Sequence, residues 1–153
     1  EPLDLGREVD ALLEFYALLA EDSQIALTRE GNGQIAGDRS MLRRALSNLL
    51  DNALRYTPGG GAIKVLIEET ASHVRISIEN TGAGIAAELL PRLFDRFYRA
   101  DPARREGSSE HAGLGLAITQ SIIRAHGGQI RCEAQEGVTR FVLELPAIKA
   151  VST

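Results

Sequence analysis

The chain has 153 residues, of which 44% are hydrophobic and 25% are charged, values typical of one soluble globular domain. Its net charge of −4 argues against general binding to nucleic acids, and no apolar run approaches the length of a membrane span. The chain begins with Glu1 rather than Met, and we interpret it as a fragment of a longer protein. Its single cysteine, Cys132, cannot form an internal disulfide, and its apolar flanks predict a place in a strand rather than a catalytic thiol.

Hydrophobic periodicity predicts two helices and three strands in the first half of the chain. The predicted elements are a helix over 5–21, a strand over 25–29, a turn over 31–33, a helix over 39–56, and strands over 62–69 and 74–79. Asp38 can cap the second helix, and Pro58 with the three glycines after it terminates that helix. The last two strands alternate apolar and polar residues, so each is expected to bury one face.

The second half of the chain contains a long polar segment between two predicted helices. The predicted elements are a short helix over 86–90, a helix over 114–125, and strands over 129–134 and 138–145. The segment over 100–112 has no periodicity, and a loop of that length in a compact domain often acts as a functional lid. The order of elements predicts an α+β fold, a two-layer sandwich with helices on one face of a mixed sheet.

The helix predicted over 39–56 carries a polar stripe. Arg44, Asn48, Asn52 and Arg55 are spaced four, four and three residues apart, so their side chains share one side of the helix. Asparagine is a poor former of helix interiors, and two asparagines one turn apart therefore suggest a purpose. An amide oxygen suits Mg²⁺ and arginine suits phosphate. A solvated structural face is the alternative, and the stripe alone does not decide between the two.

Two glycine-containing segments have both a structural and a functional interpretation. Residues 79–85 follow a predicted strand, and they form either a tight turn or a loop in which Asn80 holds the edge of a flat base. Residues 113–116 lie where the polar segment enters a helix. They form either a flexible hinge or a helix N-terminus whose free amides bind phosphate.

Taken together, in this order and spacing, these segments resemble the sequence motifs of sensor histidine kinases. Residues 48–56 resemble the N box, residues 80–84 the G1 box, Phe94 and Phe97 the F box, and residues 113–118 the G2 box. The resemblance spans nearly the whole chain. It implies the Bergerat fold, which these kinases share with ATPases of the Hsp90, MutL and gyrase types.

The resemblance implies ATP and Mg²⁺ as cofactors and assigns a role to each motif. Asn52 would ligate Mg²⁺ through its amide oxygen, and Asn48 would lie close to the phosphates. Arg55 would face the phosphates or the ribose, Tyr56 would lie near the adenine, and Asn80 would hydrogen-bond the adenine edge. The other implied nucleotide-binding residues are Gly82, Gly84, Ile85, Arg99, Gly113, Leu114, Gly115 and Leu116.

The resemblance also implies an ATP lid over residues 99–112. Arg99, Arg104 or Arg105 could reach a phosphate from this lid, and Phe94 and Phe97 would anchor it against the core. We expect the lid to be mobile without nucleotide and partly ordered with it.

Two positions depart from the family pattern. Asn80 stands where the family usually has an adenine-contacting aspartate, and His111 followed by Ala112 stands where the G2 box usually begins with glycine. A carboxylate only accepts hydrogen bonds, whereas a flipped amide can accept or donate. Discrimination against GTP is therefore expected to be about tenfold weaker than in an Asn80→Asp variant, unless a neighbour fixes the amide. The metal ligand and the helix-entry glycines are retained, so ATP binding is expected.

The resemblance implies one catalytic domain over 1–153, with residues 1–8 as a linker from an absent dimerisation and phosphoacceptor hairpin. None of His73, His111 and His126 has the sequence setting of a phosphoacceptor, so no catalytic residue is expected in this fragment. The segment over 91–101, together with Asn80, is most similar to heavy-metal sensor kinases that respond to copper or silver.

The implied function is transfer of the γ-phosphoryl group from Mg·ATP to a histidine of the kinase's own dimerisation domain. A response regulator is an indirect partner, and the domain is expected on the cytoplasmic side of a bacterial inner-membrane protein, without nucleic-acid or direct membrane contact. One alternative is an ATPase or protein-serine kinase on the same fold, which uses a base in the N box where this chain has Asn48 and Asp51. The other is a non-catalytic docking module.

Overall fold

The computed structural model describes residues 2–81, 115–135 and 137–148. The elements in chain order are β1 (Pro2–Asp4), α1 (Leu5–Asp22), β2 (Ala26–Gly31), β3 (Gln34–Ala36), α2 (Arg39–Tyr56), β4 (Ala62–Glu69), β5 (His73–Thr81), α3 (Gly115–Ala125), β6 (Gln129–Gln135) and β7 (Val138–Pro146). The predicted short helix over 86–90 and the predicted lid over 99–112 lie outside the described residues. None of the described helices is both long enough and apolar enough to cross a membrane.

The five longer strands form one mixed sheet in the order β2-β4-β5-β7-β6. Strands β2 and β4 run parallel, whereas each of the other neighbouring pairs runs antiparallel. One face of this sheet is apolar and buried, and α1, α2 and α3 contribute to the same core. The strand residues of that face are Ile63, Val65, Ile67, Val74, Ile76, Ile78, Phe141, Leu143 and Leu145. The predicted α+β sandwich with a mixed sheet is confirmed.

The opposite face of the sheet carries paired charges. Arg75 Nη2 lies 3.0 Å from Glu144 Oε2, and Arg140 Nη2 lies 2.7 Å from Glu79 Oε2. These residues alternate along β5 and β7 with the buried apolar residues, so they project away from the helices. The alternation explains why the sequence alone predicted strands with a single buried face.

Residues 2–8 pack within the domain, whereas the sequence suggested a linker over residues 1–8. Strand β1 pairs antiparallel with β3, with Leu3 opposite Ile35, and both side chains are almost fully buried. Leu5, the first residue of α1, is also buried. Neither β1 nor β3 was predicted, because three residues are too few to show a strand periodicity.

Where the sequence predicted a turn over 31–33, Gly31 ends β2 and residues 32–33 connect it to β3, and this connection also holds the start of α1. Gly31 has a φ of +83°, and a Cβ at this position would collide with the Ile67 carbonyl oxygen. Asn32 Oδ1 accepts hydrogen bonds from the amides of Gly6 and Gly33, each at 2.7 Å. The connection is therefore built around a glycine that no other residue can replace without strain.

Cys132 lies in β6, as its flanks predicted, and it is half-buried. Burial raises the pKa of its thiol to about 12. The thiol is therefore protonated near neutral pH, which is consistent with a packing role and not with a nucleophile.

Helix α2 has the predicted bounds and the predicted cap. Asp38 has an extended backbone, and its Oδ1 accepts a hydrogen bond of 3.0 Å from the amide of Met41. We expect Asp38→Ala to lower the free energy of unfolding by about 1 kcal/mol, because this amide then has no partner inside the helix. Asp38→Asn should be nearly neutral, because asparagine caps helices equally well. Urea denaturation of both variants tests this, and equal losses would mean that the charge matters instead of the cap.

Candidate functional site

The polar stripe of α2 contacts α3 through Asn48. Asn48, Asn52 and Arg55 are half-buried, whereas Arg44 is exposed. Asn48 Nδ2 donates a hydrogen bond of 3.3 Å to the hydroxyl of Thr119, a fully buried residue of α3. Asn48 therefore connects the two helices that carry the N-box and G2-box motifs, a role that its sequence position did not predict.

Helix α1 holds α2 in place through two polar contacts. The Glu8 carboxylate is almost fully buried and lies 2.6 Å from Arg43 Nε and 3.3 Å from Arg39 Nε. The Tyr16 hydroxyl lies 2.6 Å from Ser47 Oγ, and burial raises the pKa of Tyr16 to about 12, so it remains protonated. Because Ser47 directly precedes Asn48, these contacts fix the position of the polar stripe relative to the rest of the domain.

A buried polar pair ends the apolar face of the sheet. Asn80 in β5 and Thr139 in β7 are direct cross-strand neighbours, and each is only 4% exposed. The next pair on the same face is Ile78 with Phe141, which is fully apolar. Asn80 was singled out from the sequence, but Thr139 was missed. The sequence did contain an indication, because Thr139 is a polar residue at a position where the alternation of the last strand places a buried side chain.

The side-chain amide of Asn80 makes one long hydrogen bond. Its Nδ2 donates a hydrogen bond of 3.4 Å to the carbonyl oxygen of Thr81. Thr81 is itself held, because its hydroxyl oxygen accepts a hydrogen bond of 3.0 Å from the amide of Ala62. Among the described residues, no donor is hydrogen-bonded to Asn80 Oδ1. Within the described part of the chain, the oxygen is thus the end of this amide without a hydrogen bond.

The remaining predicted site residues lie at element boundaries or outside the described part of the chain. Tyr56 is the last residue of α2, Gly115 is the first residue of α3, and Leu116 is buried in the core. The predicted residues outside the described ranges are Gly82, Gly84, Ile85, Phe94, Phe97, Arg99, Arg104, Arg105, His111, Ala112, Gly113 and Leu114.

Both described histidines serve local structure. His73 is the first residue of β5, and its exposed ring lies 2.8 Å from the hydroxyl of Ser72. His126 follows α3, and its Nε2 accepts a hydrogen bond of 3.1 Å from the amide of Asp38 at the start of α2. Neither histidine is placed early in a helical hairpin, where a phosphoacceptor is expected.

The chemistry of this region fits a nucleotide and a hard cation. Asn80 offers an acceptor and Thr139 a hydroxyl at the buried end of the sheet, where the edge of a base can be bound. Asn52 offers a neutral amide oxygen on α2, and Arg55 offers a cation one turn later. These groups could hold and orient a ligand, and none of them is paired with a base that would activate a nucleophile among the described residues.

Comparison with known proteins identifies the family. Residues 37–149 match the family described as histidine kinase-, DNA gyrase B- and HSP90-like ATPase. The sensor histidine kinase CusS of Escherichia coli K12 is 50% identical over 146 residues, which cover 95% of this chain. The chain spans 30% of the length of CusS.

Two solved structures are similar in fold. The mycobacterial sensor histidine kinase MprB has a TM-score of 0.83 and 33% identity, covering 96% of this chain and 98% of that chain. Full-length ShkA in complex with AMPPNP has a TM-score of 0.84 and 26% identity, covering 99% of this chain and 32% of that chain. The chain belongs to the histidine kinase-, DNA gyrase B- and HSP90-like ATPase family, and within it to the catalytic domains of sensor histidine kinases.

Proposed function

We propose that the chain binds ATP with Mg²⁺ at the polar stripe of α2 and the adjoining end of the sheet. The observation that carries this proposal is the buried pair of Asn80 and Thr139 at the end of an otherwise apolar sheet face. Buried polar groups normally have partners, and the Asn80 oxygen suits the amino group of adenine. The similarity to ShkA, which was solved with AMPPNP, supports the same ligand class.

The α2 residues would hold the charged part of the ligand. Asn52 would bind Mg²⁺ through its amide oxygen, and Arg55 would face the phosphates or the ribose. Bound Mg²⁺ would neutralise phosphate charge. Asn48 would act partly through α3, because its amide already contacts Thr119.

The domain would donate the γ-phosphoryl group to a histidine outside this chain. His73 and His126 hold local structure, so the described residues offer no phosphoacceptor. The acceptor would be the dimerisation domain of a longer kinase, with a response regulator as the next partner. A heavy-metal signal and a cytoplasmic position of this domain are part of the same proposal. They rest on the resemblance of residues 91–101 to heavy-metal sensor kinases and on the identity to CusS.

The isolated domain should bind Mg·ATP without labelling itself and without rapid ATP turnover. The reason is that the chain carries the residues proposed to bind the nucleotide, whereas the described residues offer no phosphoacceptor. Calorimetric titration with ATP, with and without Mg²⁺, measures the binding. Incubation with γ-labelled ATP, alone and with the histidine hairpin of the longer kinase, measures the transfer.

Each outcome separates one functional class from the others. Label that moves to the added hairpin supports the kinase. Rapid steady turnover without the hairpin would favour an ATPase, and binding without transfer to the hairpin would favour a docking module. Absence of ATP binding would refute the proposal.

A further inference from the structure

Helix α1 exposes a compact apolar patch on the side away from the core. Phe15 and Leu18 are each 74% exposed, and Leu19 is 56% exposed. Spacings of three and four residues place them on neighbouring positions of the helix surface. We call these three side chains the α1 patch. Single exposed apolar residues are ordinary, but a contiguous group of large ones on a soluble domain marks an interaction site.

Acidic residues border the α1 patch. Glu14 and Asp22 lie four residues before and after Leu18, and Glu21 lies three residues after it. All three are exposed, and among the described residues none of them forms an ion pair. The other acids of α1 differ, because Asp10 lies 2.7 Å from Arg29 Nε and Glu8 is held by two arginines. The uncompensated negative charge of this helix is therefore concentrated around the patch.

We propose that the α1 patch docks an amphipathic helix of another protein segment, with an apolar stripe flanked by Lys and Arg. The apolar stripe would cover Phe15, Leu18 and Leu19, and the basic residues would pair with Glu14, Glu21 and Asp22. Charge complementarity of this kind sets orientation and selects partners.

Two other occupants fit the charges less well. A second copy of the chain would bring its own acidic border beside the first, and each copy has a net charge of −4. An anionic lipid surface would repel the same border, whereas membrane-bound helices usually carry basic residues there.

Docking at this surface would occur on the helix that positions the nucleotide-binding stripe. Phe15 packs edge-on against Tyr16, with ring centroids 5.2 Å apart. Tyr16 in turn contacts Ser47, the residue before Asn48. The patch and the α1–α2 contact are thus linked by two sequence neighbours, Phe15 and Tyr16, whose rings touch.

The test uses the whole chain and a synthetic amphipathic helical peptide of Leu and Lys. A second peptide, in which every Lys is Glu, controls for hydrophobic attraction alone. Binding is measured by fluorescence anisotropy at physiological salt. We expect the Lys peptide to bind at least about tenfold more tightly than the Glu peptide.

Surface variants show whether binding uses the α1 patch. The double variants Phe15→Ser/Leu18→Ser and Glu14→Lys/Glu21→Lys should each weaken binding of the Lys peptide by about tenfold or more. Met41→Ser is the matched control, because Met41 is an exposed apolar residue of α2 outside the patch, and it should leave binding unchanged. Melting curves check that all variants fold.

Four results would overturn the proposal. The first is no binding of the Lys peptide, and the second is binding that the Phe15→Ser/Leu18→Ser variant leaves intact, which would mean unspecific charge attraction. The third is a dimer in sedimentation that this variant abolishes, which would make a second copy the occupant. The fourth is patch-dependent binding to vesicles of phosphatidylcholine and phosphatidylglycerol without peptide binding.

Discussion

Asn52→Ala should weaken Mg²⁺-dependent ATP binding about a hundredfold while the domain remains folded. Asn52 is half-buried on the polar stripe of α2, so the truncation opens no cavity in the apolar core. Alanine is also the better helix former, and the melting temperature should stay the same or rise. Calorimetric titrations with and without Mg²⁺ measure the loss, and a thermal melt measures stability.

The control for Asn52 lies two turns earlier on the same stripe. Arg44 is exposed, and Arg44→Ala should change ATP affinity far less than Asn52→Ala does. If Asn52→Ala binds Mg·ATP like the parent chain, residue 52 is not the metal ligand. A collapsed melting temperature would instead indicate a structural asparagine.

Asn80→Ala should weaken ATP binding about tenfold, the effect of losing one buried hydrogen bond of about 1.4 kcal/mol. Thr139→Val should weaken it by a smaller factor, because the isosteric change removes only a hydroxyl group from the same buried pair. Competition binding with labelled ATP measures both variants. Unchanged affinity in both would mean that this end of the sheet does not bind the base.

The orientation of the Asn80 amide changes what we expect for GTP. From the sequence alone, a freely flipping amide would make the parent about tenfold less selective than Asn80→Asp. The structure shows Nδ2 donating to the Thr81 carbonyl, so accepting GTP would require this hydrogen bond to be given up. This hydrogen bond is long and therefore weak, so it restrains the amide only in part. We therefore expect Asn80→Asp to increase the preference for ATP over GTP by about threefold, less than the tenfold expected for a freely flipping amide.

Asn80→Asp should also destabilise the domain, and this loss of stability distinguishes a restrained amide from one that flips freely. An aspartate cannot donate to the Thr81 carbonyl, and its carboxylate would be buried beside that oxygen. The variant should therefore melt at a lower temperature than the parent. A full tenfold gain in ATP preference without loss of stability would indicate that the amide flips freely.

Hydrophobic spacing and capping signals along the chain predicted most of the secondary structure and the α2 residues of the candidate site. The α2 helix, its Asp38 cap and its stripe of Asn48, Asn52 and Arg55 follow from helical spacing and capping chemistry. The two-faced strands β4 and β5 follow from alternation. The order and spacing of the motifs were enough to indicate the family, which the comparisons confirmed.

Only the tertiary structure decided the contacts between distant parts of the chain. The pairing of β1 with β3 joins segments about thirty residues apart, and it brought residues 2–8 into the domain. The contact from Asn48 to Thr119 and the pairing of Asn80 with Thr139 join α2 to α3 and β5 to β7. The amide orientation of Asn80 and the exposure of Phe15 were likewise visible only after folding. Spacing along the chain determines which residues share a face, whereas register and packing between elements determine what that face meets.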